Sequence, residues 1–244
     1  VYFGTHIINY NFEKLSEMKR NVSLSLMLIL GLFVMVSCDG TGTKKFDEDK
    51  SDNETKKIEI KYLEDFMQFE NHGQMVEYFG DENVEETVLW KAEGTVQYNV
   101  SILNPEYANR VVVYWGVDDE KEGADFVETT HSVYTYGGEE LVEGGEIYPT
   151  KTEVKIGTLL PELQEINGAA FTFLGMAWDF GGAAIDLNPK FDDYDLYLGC
   201  PEVEKMNEWP EEYTNIVGDT EFSSENENAL ALDLEIVSIT YLGE

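Results

Sequence analysis

The sequence predicts an α+β fold, a predominantly antiparallel sheet with two short helices, on three observations. Apolar residues alternate with polar ones at strand period in several separate runs, and only two stretches carry helix start and stop signals. Successive strands also follow one another without the intervening helix that a parallel sheet needs. Of the 244 residues, 43% are hydrophobic and 13% aromatic, enough for a real core, so wholesale disorder is excluded.

Ile58, Ile60 and Tyr62 alternate with polar residues and read as a first strand. Val96, Tyr98, Val100 and Ile102 alternate with Gln97, Asn99 and Ser101, which predicts one buried face and one wet face. Asn104-Pro105 starts a turn, and Arg110 to Trp115 is apolar enough to lie centrally. Asp118 to Gly123 reads as a loop and Phe126 to Tyr136 as another strand. Gly137-Gly138 and Gly144-Gly145 punctuate the connection that follows. Near the end Leu230, Leu232, Leu234 and Ile236 alternate, then Val237, Ile239 and Tyr241 continue on the opposite phase, and a bulge near Ile236 reconciles them.

The first helix is expected after Asn71, with Gln74 completing a capping box, Met75, Val76 and Phe79 as its apolar face, and Gly80 ending it. The second is expected after Thr158 as cap, with Pro161 in its first turn, Leu159, Leu163 and Ile166 facing the sheet, and Asn167-Gly168 as its stop. Strands follow both helices, which hints at a duplicated helix-then-hairpin unit at Gln74 to Trp115 and Thr158 to Leu187.

The amino-terminal part carries targeting features rather than fold. Met18-Lys19-Arg20 is a positive start, and Val22 to Val36 is an apolar run broken only by Ser23, Ser25 and Gly31. That length suits a signal segment and falls short of the roughly 20 residues that span a bilayer. The run ends in Met35-Val36-Ser37-Cys38, which resembles the lipobox of bacterial lipoproteins, with Met35 where Leu is more usual. The resemblance implies a diacylglycerol, palmitate-type anchor on the Cys38 thiol and cleavage after Ser37. Expected organisation is therefore residues 1–17 as an over-extended start, 18–37 as signal peptide, 38–57 as an acidic tether and 58–244 as one α+β domain. Lys44 to Lys57 holds Asp47, Glu48, Asp49, Asp52 and Glu54 with Phe46 as its one large apolar group, too little surface to offset ordering entropy. As a flexible coil the tether would average roughly 25 Å end to end.

The chain has 16 basic against 49 acidic residues, a net charge of −33, and loss of residues 1–37 leaves the balance as acidic. Such a surface repels phosphate backbones, so nucleic acid is excluded as a partner. The charge fits either attraction to cations or a basic partner, or plain solubility. Of the two cysteines, lipidation of Cys38 leaves Cys200 without an intrachain partner; in Leu198-Gly199-Cys200-Pro201 it reads as a buried apolar thiol rather than a nucleophile.

The most distinctive stretch runs from Ile156-Gly157-Thr158 through Leu163 to Gly168 and on to Phe171-Thr172-Phe173-Leu174-Gly175-Met176-Ala177-Trp178-Asp179-Phe180-Gly181-Gly182. With Tyr78-Phe79-Gly80, Asn83-Val84 and the Val111 to Trp115 run, it resembles a pattern of uncharacterised bacterial envelope lipoproteins over about residues 71–187. That resemblance implies no activity, and Leu160-Pro161 departs from the usual polar helix start. Trp178 and Asp179 are the candidate ligand platform, a stacking indole beside a carboxylate at a strand end. The same residues equally fit a core tryptophan and a turn-closing aspartate.

Other chemistries lack their signatures. His72 and His131 are isolated, and no HExxH or CxxC spacing occurs, so no His/Cys metal site is expected. Calcium has some acidic loops to draw on, Asp118-Asp119-Glu120 and Asp192, Asp193 and Asp195, but neither fits the EF-hand register. No nucleophile elbow, P-loop or dinucleotide fingerprint is present, and no cofactor is expected. The expectation is a non-catalytic envelope lipoprotein that binds another protein or acts structurally, at the outer membrane or cell surface rather than the inner membrane. The alternative is a carbohydrate- or small-ligand-binding lipoprotein of an uptake system, and the third reading is a hydrolase. A Trp- and Tyr-lined concavity favours ligand capture, and a flat or convex apolar patch favours a protein.

Overall fold

A computed structural model of the chain describes residues 58–243, apart from 92–93, 117–122, 135–139 and 205–207. Cys38, the signal segment, the acidic tether, the Gly137-Gly138 pair and most of the Asp118 loop lie outside the described residues. The strands are β1 (Val84–Lys91), β2 (Val96–Leu103), β3 (Asn109–Trp115), β4 (Ala124–His131), β5 (Thr172–Leu174), β6 (Ala184–Ile185), β7 (Tyr194–Gly199), β8 (Glu221–Ser223) and β9 (Glu235–Tyr241). They form a six-stranded sheet of order β1-β2-β3-β4-β9-β7 and a three-stranded sheet of order β6-β5-β8, and all strand pairs are antiparallel. The α+β class with mainly antiparallel sheet is therefore the observed one. The described residues from Glu59 onward fall in one compact unit.

Inside the large sheet, β3 is buried along nearly its whole length, as its run of valines requires. Tyr98, Val100 and Ile102 are buried on one side of β2, but Ser101 on the supposedly wet side is fully buried too. The reason is the helix α1 (His72–Phe79), whose His72 Nδ1 lies 2.9 Å from Ser101 Oγ, while Trp115 Nε1 donates to the same hydroxyl at 3.0 Å. Gln97 and Asn99 on the same side stay exposed.

No strand forms at Ile58 to Tyr62. The Asp65 carboxylate accepts the backbone N–H groups of Lys61 and Tyr62, each at 2.9 Å, and this local bonding turns the chain into a 3-10 helix, Leu63–Gln68. Leu63, Phe66 and Phe69 are then buried, and Phe66 meets Tyr148 edge-on at 4.9 Å and stacks on Phe79 at 5.7 Å. Asn71 caps α1 by accepting from Gln74 N, but the Gln74 side chain reaches Glu70 N instead of closing the box.

Glu64 in the 3-10 turn ties three segments together. It is 5% exposed, and its Oε1 accepts from Lys151 N at 2.8 Å and from the Tyr194 hydroxyl of β7. Burial, then that bond to Glu64, pushes the Tyr194 hydroxyl pKa upward. Glu64→Ala strands two donors, so a loss of about 2–3 kcal/mol is expected in urea unfolding, with Glu64→Gln losing less because it keeps an acceptor oxygen.

On the opposite face of the sheet, Glu128 of β4 accepts from Lys91 Nζ and the Tyr114 hydroxyl, both at 2.8 Å. Tyr114 stacks on Phe126 at 4.2 Å and meets Tyr98 edge-on at 5.6 Å. Burial pushes the Glu128 carboxyl up, yet the charge and bond of Lys91, the Tyr114 hydroxyl and the charge of Arg110 together bring it below its ordinary 4.5. A depressed folded-state pKa stabilises above the unfolded value and is lost as pH falls through the folded one. Glu128→Gln should therefore lower stability at pH 7 and flatten the loss seen on acidification below 4.5 in pH-dependent denaturation.

The second helix, α2 (Leu160–Asn167), begins one residue later than Thr158 as cap would place it. Glu162 accepts from Leu159 N at 3.1 Å, whereas the Thr158 hydroxyl accepts from Lys155 N. Leu160 and Leu163 are fully buried, and Gly168 takes the left-handed conformation as the stop. Three further short helices escape the sequence reading: α3 (Pro201–Glu204), α4 (Glu211–Thr214) and α5 (Glu227–Ala231). The alternating leucines from Leu230 thus begin in a helix, because the Asn226 side chain accepts from Asn228 N and Ala229 N and caps it. Leu230 is left 40% exposed. The bulge is real: Tyr197 pairs with Ser238 but Leu198 with Ile236, so Val237 is the extra residue. Each expected helix precedes an antiparallel pair, yet the pairs differ, two eight-residue strands in one sheet against strands of three and two residues in the other.

Candidate functional site

The Gly175 to Gly182 stretch follows β5, whose Phe173 is fully buried against Phe222 at 5.9 Å. A tight turn comes next, closed by backbone bonds: Gly181 N to Trp178 O at 2.9 Å, Gly182 N to Leu174 O at 2.8 Å and Ala183 N to Phe180 O at 3.1 Å. Two glycines let this turn press on its neighbours. A Cβ on Gly175 would lie 2.5 Å from Gly218 O, and one on Gly182, at φ +83°, would lie 1.9 Å from Leu198 O. Leu198 N returns a bond to Gly182 O at 2.8 Å, so the turn is the seam between the small sheet and β7.

Trp178 is half-buried and rests edge-on against Phe180 at 5.5 Å. Its Nε1 is buried without a hydrogen-bond partner. Asp179 is exposed and makes no hydrogen bond among the described residues, so backbone and glycines, not its carboxylate, close the turn. The two candidate residues are adjacent in sequence but converge on no cavity described in the structure. Trp178→Phe removes a donor that has no acceptor, so stability should change by no more than about 1 kcal/mol in thermal or urea unfolding.

A concavity exists elsewhere, a cleft of about 190 Å³ lined by Phe79, Asn83, Leu103, Asn104, Glu146 and Tyr148. It is smaller than the 300–1,000 Å³ typical of small-molecule sites. Its polar groups are largely occupied with one another, Tyr148 donating to Glu146 at 2.7 Å and Asn83 Nδ2 to Phe79 O at 2.8 Å. The His72 and Ser101 contact has the distance of a base and nucleophile, but Ser101 has no exposed surface on which to meet a substrate. Among the described residues no group of three His, Cys, Asp or Glu is placed to hold a metal ion, and no helix is long and apolar enough to cross a membrane. Cys200 is buried, its thiol donating to Leu232 O at 3.4 Å.

No family model matches the chain, nor does any curated protein or solved structure. The functional reading therefore comes from the surface itself. One part of it is the strand β1, at one end of the six-stranded order. All eight β1 residues pair with β2, from Val84 opposite Leu103 to Lys91 opposite Val96, and no strand pairs with the other side of β1 among the described residues. Alternation puts Glu86, Val88 and Trp90 on one face, with Val88 40% and Trp90 51% exposed beside the exposed Asn99 and Gln97. Sequence reasoning did not single out this strand. Thr87-Val88-Leu89-Trp90 followed by Gly94 carries the local signal for a strand and turn, but nothing local marks it as an edge.

Proposed function

We propose that this is a lipid-anchored module of a bacterial envelope, held at the outer membrane or cell surface by acyl chains on Cys38, whose α+β domain binds another protein without catalysing a reaction. The observation that supports the binding role is that, among the described residues, no strand pairs with the outer side of β1, while Val88 and Trp90 are exposed on it. Soluble proteins blunt such edges or use them, because a row of unpaired backbone groups beside apolar side chains is a template for another strand. The cleft near Tyr148, at about 190 Å³, is below the usual size of a small-molecule site, which supports the protein-binding reading over the uptake-system alternative.

A photo-crosslinking amino acid in place of Val88, in the lipidated protein within its native envelope, tests the reading. The expected result is a discrete crosslinked polypeptide that is missing when the crosslinker replaces the exposed Asp179 instead. Equal yields from both positions would contradict it.

A further inference from the structure

We infer that the occupant of the β1 edge is an extended segment of another protein, laid antiparallel to β1, whose residues run from apolar to basic in its own N-to-C direction. This rests on the protein-binding reading above and adds the chemistry and direction of the partner. The edge is polarised along its length. At its start lie Glu85 and Glu86, exposed and without an ion pair among the described residues, with the exposed Asp81 and Glu82 just upstream. At its far end lie Val88 and Trp90, while the one cation of the strand, Lys91, is already held by Glu128 at 2.8 Å. In an antiparallel pair, directly opposed residues share a face, and opposite charges or two apolar groups are the favourable combinations. A guest strand entering opposite Trp90 thus places apolar residues against Trp90 and Val88 first, and lysine or arginine against Glu86 and Glu85 last.

Charge on the whole chain points the same way, since 49 acidic against 16 basic residues attract a basic segment over a distance and repel another copy. A second copy paired about Val88 would also set Glu86 against Trp90, which matches neither charge nor apolar surface.

The test titrates the isotope-labelled full-length chain with the peptide Ser-Val-Thr-Val-Thr-Lys-Lys and follows amide shifts and hydrogen exchange by NMR. Shifts and slowed exchange confined to β1 and its β2 neighbours are expected, with at least tenfold weaker binding when both lysines become glutamates or the sequence order is reversed. Raising the salt should weaken binding, and the Glu85→Lys, Glu86→Lys double variant, altered only at exposed edge positions, should prefer the glutamate peptide. Equal binding of both peptides at β1 would overturn the charge and direction while leaving the edge as a protein-binding surface. Protection of β1 by self-association alone, or shifts located away from β1, would overturn the edge reading as well.

Discussion

Gly182→Ala should cost at least about 4 kcal/mol, in the range reserved for a few named mechanisms, and leave much of the chain unfolded at ambient temperature. Two effects add. An L-residue at φ +83° is strained by roughly 1–2 kcal/mol, and the new Cβ would stand 1.9 Å from the Leu198 carbonyl oxygen. Neither side can yield cheaply, because Leu198 is 2% exposed in β7 and its N–H is bonded to Gly182 O. Gly168→Ala supplies the control: its φ is +82°, but nothing lies within 4 Å of the added Cβ, so only the conformational cost remains. Unfolding free energies from urea titration should differ between the two variants by about 3 kcal/mol; similar values would mean that the seam between the small sheet and β7 gives way easily.

Cys38→Ala should abolish both processing of the chain and its labelling by fatty acid, the second large effect. At about 0.8 kcal/mol per buried methylene, two or three acyl chains make an anchor that no contact of the acidic domain could replace, since its charge is repelled by anionic headgroups. Wild-type protein should incorporate labelled palmitate and migrate as the shortened form, and the variant should do neither. A variant that is still cut and still fractionates with membranes would remove the lipid-anchor proposal.

The strand alternation of β2, the central run of β3 and the extra residue at Val237 were legible because each is a property of one strand's own side chains. The alternations at Ile58 to Tyr62 and from Leu230 misled because short alternating runs also arise where a chain turns. There the deciding groups were polar side chains, Asp65 and Asn226, that bond the backbone locally. Ser101 reads as water-facing by alternation alone, but α1, distant in sequence, covers it.

For the candidate site the glycines and Trp178 were conspicuous in the sequence, but the reason for Gly182, the Leu198 carbonyl, belongs to another strand. The β1 edge was invisible for the same physical reason. Val88 and Trp90 are ordinary strand residues until the strand order, among the described residues, puts β1 at the end of the sheet.

Amide hydrogen exchange of the protein, compared between the envelope-bound state proposed above and the purified state, bears most directly on the proposal that β1 is the binding surface. Residues 84–91 should exchange at least tenfold more slowly in the envelope, with 172–185 unchanged. Slowing confined to the Trp178 turn, with β1 exchanging alike in both states, would contradict that assignment.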